Sequence, residues 1–244
     1  MMAVLAMMRI SQARASDRPA PAAAPGSTAI VGGTVPVGVG LAYGMKLKQS
    51  SQVSCIFFGD AVVEAGVFFE SVNFAMLKKL PVLFVCENNL YSVYSPLSVR
   101  QPEGRNIAAM VSGLGIHTSS GDGNDIGAVY AAVIGALATI RAGEGPRFLE
   151  LSTYRWLEHC GPFYDNDLGY RSEAEFNEWR EQEPISRFEA TLLSGKVLTT
   201  AEIEQMDTEI AQEIAEAFDF AESSPFPAAS AASEDLYFAH AGGN

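Results

Sequence analysis

Residues 55–93 read CIFFGDAVVEAGVFFESVNFAMLKKLPVLFVCENNLYSV. Two apolar runs, QVSCIFF (52–58) and VLFVC (82–86), each stop on oxygen-bearing residues, Gly59-Asp60 after the first and Glu87-Asn88-Asn89 after the second. Continuous β-branched and aromatic runs of this length suit a parallel strand covered on both faces. Between them Val67, Phe68, Val72, Ala75 and Met76 recur at helical spacing, and Lys78-Lys79 closes the segment as a helix C-terminus favours. Strand, helix and strand in that order make a βαβ unit, and an α/β fold with a mostly parallel sheet follows.

The pattern extends both ways. Upstream, a Gly-rich turn in GSTAIVGGTVPVGVGLAYGMKLKQ (26–49) feeds a helix with Val35, Val39, Ala42 and Met45 on one face and Pro36 tolerated in its first turn. Downstream, 108–125 reads as a short piece with turns, 126–143 as a helix, and GPRFLELSTYRW (145–156) as an alternating strand ending near Glu158-His159. In GDGND (121–125) the acidic residues favour a turn plus N-cap over a phosphate loop. His117, in a Gly/Ser-rich turn, and His240, near the end of the chain, earn no role. Arg155 stands either as an ion-pair partner near a bound anion or as a plain alternation residue.

The C-terminal part differs in kind. EPISRFEATLLSGKV (183–197) predicts a short helix stopped by Gly195; Thr199 and Glu202 form a capping-box pair ahead of an acidic helix with Ile203, Met206, Ile210, Ile214 and Phe218 along one face. That stripe points to packing against the parent domain or a partner. The expected organisation is therefore an N-terminal extension (1–25), an α/β domain (26–183), a C-terminal helical segment (184–228) and a disordered tail (229–244). The Ala/Pro/Met-rich extension carries Arg9, Arg14 and Arg18 against the single acid Asp17, so a transit-like segment stays open beside a flexible one.

Composition bounds the function. The 244 residues are 48% hydrophobic, enough for a substantial core, and carry a net charge of −13, which argues against nucleic acid or an anionic membrane as partner. No run approaches the roughly 18–20 apolar residues needed to span a bilayer. Cys55, Cys86 and Cys160 are odd in number and widely spaced, fitting a reducing interior and a cytoplasmic location.

Ligands of open α/β sheets bind outside the carboxyl ends of the strands. A carboxylate from Asp60 and an amide oxygen from Asn89, brought to adjacent strand ends, suit a hard divalent cation shared with phosphate oxygens, as magnesium is commonly held. The helix starting near Glu64 would aim free N–H groups at the same anion. A Gly-Asp alone would be no more than a turn; the pairing with Asn-Asn gives it content.

Gly-Asp followed about thirty residues on by Asn-Asn resembles the thiamine-diphosphate motif. With GSTAIVGGTVPVGVGLA, ESVNFAMLKKLPVLFVCENNLYSV, GPRFLELSTYRW, LGYRSEAEF and EPISRF, the chain from Gly26 to about Pro227 resembles the alpha subunit of two-component thiamine-diphosphate-dependent 2-oxo acid dehydrogenases, the pyruvate, branched-chain and acetoin group. The resemblance implies that Asp60, Asn89 and the backbone carbonyl of Tyr91 hold Mg²⁺. It implies that Gly59, Ala61 and Val62 meet the cofactor diphosphate through the turn, that backbone near Ala29 and Val31 touches the aminopyrimidine, and that His159 contacts the cofactor phosphate and handles substrate.

It further implies thiamine diphosphate and Mg²⁺ as cofactors, a 2-oxo acid as substrate, a beta-type subunit in a two-alpha two-beta assembly, and a lipoyl-bearing acyltransferase as acceptor. Three departures stand out: the family's usual N-terminal region is expected to be lacking, Ala61 replaces a glycine, and Leu157-Glu158-His159 replaces His-Gly-His. A degenerate, non-catalytic scaffold of the same family, and an unrelated nucleotide-binding module, are the alternatives.

Overall fold

The computed structural model describes residues 26–233; the 1–25 extension and the tail beyond 233 lie outside the described residues. Two compact units divide after Glu189. At the centre of the first is a four-stranded, fully parallel sheet of β1 (Ser54–Gly59), β2 (Val82–Asn88), β5 (His117–Asp122) and β6 (Arg147–Ser152), in the spatial order β1-β2-β6-β5. A short hairpin of β3 (Tyr91–Ser92) and β4 (Ser95–Pro96) stands apart from it.

Side-chain alternation splits the core in two. Ile56, Phe58, Val82, Phe84, Cys86 and Phe148 face α1 (Thr34–Leu47), α2 (Gly66–Leu77) and α4 (Ile107–Ser112). On the opposite face Leu83, Val85, Leu149 and Leu151, with Cys55 and Phe57, meet α5 (Ile126–Arg141) through Val129, Val133 and Ile140. Helices on both faces are what uninterrupted apolar strands require. β2 is the clearest case: Val82 through Cys86 are fully buried. Each fully buried side chain of this kind contributes about 1.5–3 kcal/mol. Phe68 of α2 anchors the first core by edge-on contacts with Phe58, Phe69, Phe84 and Phe148.

Close approach explains one glycine. A Cβ at Gly38, on the buried side of α1, would lie 2.5 Å from Ile56 Cγ1, and the absence of one lets the helix sit on β1. Ser54 Oγ then donates to the Gly38 carbonyl at 2.8 Å. Lys46 Nζ donates to the Lys78 and Lys79 carbonyls, so a side chain from α1 closes the C-terminal end of α2.

Three expectations need correction. Residues 108–125 are more than turns: they hold α4 and β5, and His117 opens a strand. β5 escapes a hydrophobicity reading because His117-Thr-Ser-Ser-Gly-Asp is a polar edge strand with no buried residue. β6 stops at Ser152 instead of running on towards Glu158. There the Ser152 carbonyl accepts from Gly123 N at 2.7 Å and Thr153 N turns to the Asn88 carbonyl at 2.9 Å. The alternation of Tyr154 and Trp156 reflects a separate aromatic cluster with Tyr91 and Phe176. Finally, α2 begins at Gly66, because Asp60–Glu64 form a 3₁₀ turn first.

α6 (Glu173–Arg180) is N-capped by Ser172, and α7 (Pro184–Ser194) by Glu183, whose carboxylate accepts from Ile185 N and Ser186 N. The helix stop assigned to Gly195 uses the left-handed backbone of Lys196 (φ 53°). In the second unit, α8 (Thr200–Ser223) carries the expected capping box, and the Thr199 hydroxyl and amide hold the Glu202 carboxyl below its ordinary pKa. No residue of α8 is buried. Ala229–Ser233, at the start of the tail, form a 3₁₀ helix. Among the described residues no helix is long and apolar enough to cross a membrane. All three cysteines are free. Burial pushes the Cys55 thiol up to about 11, and burial followed by the charge of Glu150 pushes Cys86 up as well.

Candidate active site at the carboxyl edge of the sheet

The strand ends line up. Gly59 lies beside Glu87, Asn88 beside Ser152, and Ser152 beside Asp122, so the segments that follow all emerge on one edge. Asp60 is the first residue past β1, at 1% exposure. Its Oδ2 is ion-paired with Arg100 Nη2. Its Oδ1 is buried with no hydrogen-bond partner among the described residues. Buried carboxylate oxygens are rarely left so, and an orphan of this kind has room for a water, a cation or a bound ligand.

Arg100 ends a four-residue helix, α3 (Leu97–Arg100). Besides Asp60 it reaches Glu64 Oε1 through Nη1 at 2.5 Å and the Ser95 carbonyl through Nε at 3.0 Å. Gln101 Nε2 shares the same Glu64 oxygen at 3.0 Å. None of Arg100, Gln101 or Glu64 was singled out by sequence reading, since a lone Val-Arg-Gln after a loop carries no periodicity to mark it.

The two asparagines do different work. Asn88 Nδ2 donates to Glu150 Oε1 at 2.8 Å, and the other Glu150 oxygen accepts from Ala108 N at 2.9 Å, so this buried carboxylate clamps β2 to α4 from the neighbouring strand. An acid inside the apolar run RFLELS was a readable signal that such partners exist. Asn89 Oδ1 accepts from Tyr91 N at 3.0 Å, which tightens the turn after β2. An amide oxygen has a second lone pair to offer.

Leu90 (φ 72°) and Val93 (φ 53°) both take left-handed backbone, which for a β-branched valine is an outlier. Strain of about 1–3 kcal/mol per residue is held at such positions. The turn carries β3 against the Asp60–Glu64 turn, which brings the segments after β1 and β2 together. The Tyr91 ring points away, its hydroxyl on Glu175 at 2.8 and 2.9 Å; burial, then the Glu175 contact, raises its pKa.

Ala61 has no positive φ, so its Cβ imposes none of the backbone strain that the lost glycine suggested. Ala61 is half-buried, Val62 is buried and Gly59 is exposed. Ala29 and Val31 are exposed in the loop before α1; their neighbour Gly32 (φ 81°) packs on Ala65 and Val67, just past the Asp60 turn.

His159 lies exposed in the irregular segment between β6 and α6. Among the described residues, no hydrogen bond or ion pair joins it to Asp60 or Asn89. Arg171 pins its loop. That side chain is fully buried, pairs with Asp165 at 2.5 Å and donates to the Arg155 and Trp156 carbonyls while lying over the Tyr154 and Tyr170 rings. Arg155, past the strand, donates to the Val93 carbonyl at 2.7 Å and to Tyr170, tying this loop to the turn after β2. Glu158 is drawn into its own loop, exchanging with Phe163 through Glu158 N–Phe163 O at 2.8 Å. A Cβ at Gly161 would lie 2.0 Å from Glu158 Oε1. In GDGND, Asp122 accepts from Asn124 N and Asp125 caps α5 through Ala128 N, a turn plus N-cap.

A parallel sheet with a buried carboxylate at one strand end and an amide-bearing turn at the next defines an α/β protein with a candidate ligand site on its carboxyl edge. The family described as Dehydrogenase E1 component matches residues 14–230, and the chain belongs to it. It is 36% identical over 213 residues to the pyruvate dehydrogenase E1 component subunit alpha of Zymomonas mobilis, covering 87% of this chain and 58% of that one. It is 35% identical over 204 residues to the 2-oxoisovalerate dehydrogenase subunit alpha of Bacillus subtilis, covering 83% and 61%. The human mitochondrial pyruvate dehydrogenase alpha subunit, somatic form, is 32% identical over 205 residues, covering 83% and 51%. The chain thus spans between about half and three fifths of the length of these relatives. A putative thiamin diphosphate-dependent enzyme from Mycobacterium smegmatis is similar in structure with a TM-score of 0.41 and 23% identity, over 51% of this chain and 22% of that one.

Proposed function

We propose that the chain is an alpha-type subunit of a thiamine-diphosphate- and Mg²⁺-dependent 2-oxo acid dehydrogenase of the cytoplasm. It acts with a beta-type subunit in a two-alpha two-beta assembly, decarboxylates a 2-oxo acid and delivers the acyl group to a lipoyl-bearing acyltransferase. The observation that carries this reading is the orphaned, buried Asp60 Oδ1 in the turn that packs against β3.

The donor set fits a magnesium diphosphate. Among the described residues no group of three or more His, Cys, Asp or Glu is placed to hold a metal. One carboxylate, one amide oxygen and one backbone carbonyl are donors of the kind that Mg²⁺ shares with phosphate. In this reading Asp60, Asn89 and the Tyr91 carbonyl hold the metal, and Gly59, Ala61 and Val62 approach the diphosphate. Ala29 and Val31 line the ring. Thiamine diphosphate, when bound, supplies the electron sink for 2-oxo acid decarboxylation. His159, free in its exposed loop to meet a ligand, hydrogen-bonds the substrate carboxylate or carbonyl and holds a proton there.

The test is calorimetric titration of thiamine diphosphate with Mg²⁺ into the full chain, alone and mixed with a beta-type subunit. Binding that tightens with the partner supports the reading; no binding in either case overturns it. His159→Ala is expected to bind the cofactor within about threefold of wild type and to lose roughly 10²–10⁴ in turnover of the assembled complex, the usual contribution of a positioned proton-transfer group. Full turnover in that variant removes His159 from the chemistry. A second reading, a non-catalytic scaffold, draws support from one observation: Arg100 already neutralises Asp60.

A further inference from the structure

We infer that Arg100 competes with the metal: its guanidinium holds Asp60 Oδ2 and is displaced when a divalent cation binds that carboxylate, so residues 95–101 act as a latch on the site. The inference rests on the magnesium–diphosphate reading above and adds to it the residue that competes for the same carboxylate. Arg100 is only 11% exposed, and Nε, Nη1 and Nη2 are each committed, to Ser95 O, Glu64 and Asp60 respectively. A guanidinium and a divalent cation cannot both lie against one buried carboxylate without like-charge repulsion in a medium that screens poorly.

The latch is built to move. Within 95–101 only Gln101 is buried, and no residue of the segment belongs to the hydrophobic clusters, so shifting it opens no apolar core. Release need not strand a charge, because the partly exposed Glu64 carboxylate meets solvent and Arg100 can swing out. The movement is also wired to the other half of the site. β4 pairs with β3 through Tyr91 and Pro96, and Leu97 N donates to the Leu90 carbonyl at 3.0 Å, so displacing Arg100 pulls on the turn that presents Asn89 and Tyr91. A ligand whose competent state is only a fraction of the population binds more weakly by that fraction.

The experiment compares wild type with Arg100→Gln in three measurements on the full chain mixed with its beta-type partner. The first is calorimetric titration of thiamine diphosphate with Mg²⁺: R100Q binds about tenfold more tightly if the latch is closed nine tenths of the time. The second is hydrogen exchange: amides of 95–101 exchange faster when Mg²⁺ and thiamine diphosphate are added to wild type, and not in Asp60→Asn. The third needs no cofactor. R100Q lowers the melting temperature by roughly 5 °C or more, and the R100Q/D60N double variant recovers most of that loss, because the unpaired buried charge is gone. Weaker binding by R100Q means that Arg100 grips the bound diphosphate, and overturns the latch. So does binding equal to wild type, or the absence of Arg100–Asp60 coupling in the melts. Failure of the cofactor reading looks different: neither wild type nor R100Q binds thiamine diphosphate, although the melts show the coupling, and the latch falls with it.

Discussion

Asp60→Ala abolishes Mg²⁺-dependent binding of thiamine diphosphate and leaves the fold in place. Loss of partners that merely orient a metal ligand costs about 10- to 100-fold in affinity, so removal of the ligand itself costs at least about 100-fold. Stability falls moderately. The substitution removes Oδ1, which has no partner, together with the Oδ2 that pairs with Arg100, while Arg100 retains Glu64 and the Ser95 carbonyl. Titration of cofactor with Mg²⁺ and a thermal melt on the same sample separate the two effects. Unchanged affinity refutes the metal assignment; a collapsed melt points instead to Asp60 as a structural partner of Arg100.

Arg171→Met is expected to be the most destabilising single change in the first unit. It leaves Asp165, at 3% exposure, with only the Tyr170 hydroxyl at 2.8 Å, and unties the Arg155 and Trp156 carbonyls. Breaking one half of a buried ion pair costs about 3–5 kcal/mol, roughly 10 °C in melting temperature for a domain of this size. The double variant Arg171→Met/Asp165→Leu recovers a large part, since it removes the stranded charge. Urea midpoints measure both. A loss below about 1 kcal/mol for the single variant shows a pair that water already solvates. The loop that carries His159 hangs on this pair, so turnover falls in step with stability.

The parts of this architecture that were legible in the sequence are those where one physical signal dominates. β1, α2 and β2 announce themselves because strands covered on both faces must be apolar throughout. α1 shows its buried stripe at Val35, Val39 and Ala42, and α8 its capping box. β5 was illegible for the opposite reason: an edge strand with polar residues on both faces carries no periodicity, and backbone pairing with β6 alone makes it a strand. β6 was read too long because Tyr154 and Trp156 keep alternating while packing into another cluster.

At the candidate site, Asp60 and Asn89 were marked by their positions after apolar runs. Arg100 was not, since its importance arises from a 40-residue separation that only the folded chain closes. Ala61 stands where the family has a glycine, and the backbone there has no positive φ that would demand one.

The strand order carries a consequence for how the chain assembles. β1, α2 and β2 are consecutive and neighbouring, so they can condense over short loops as soon as they are synthesised. β5 cannot. Among the described residues its sheet neighbour is β6, which comes later in the chain, so residues 117–122 must wait until 147–152 have threaded between them and β2. Asp60 and Asn89 thus follow the two strands that can pair early, whereas Glu150, which fastens Asn88 to α4, comes with the last strand. By topology, the two candidate donors can be placed first and are locked last.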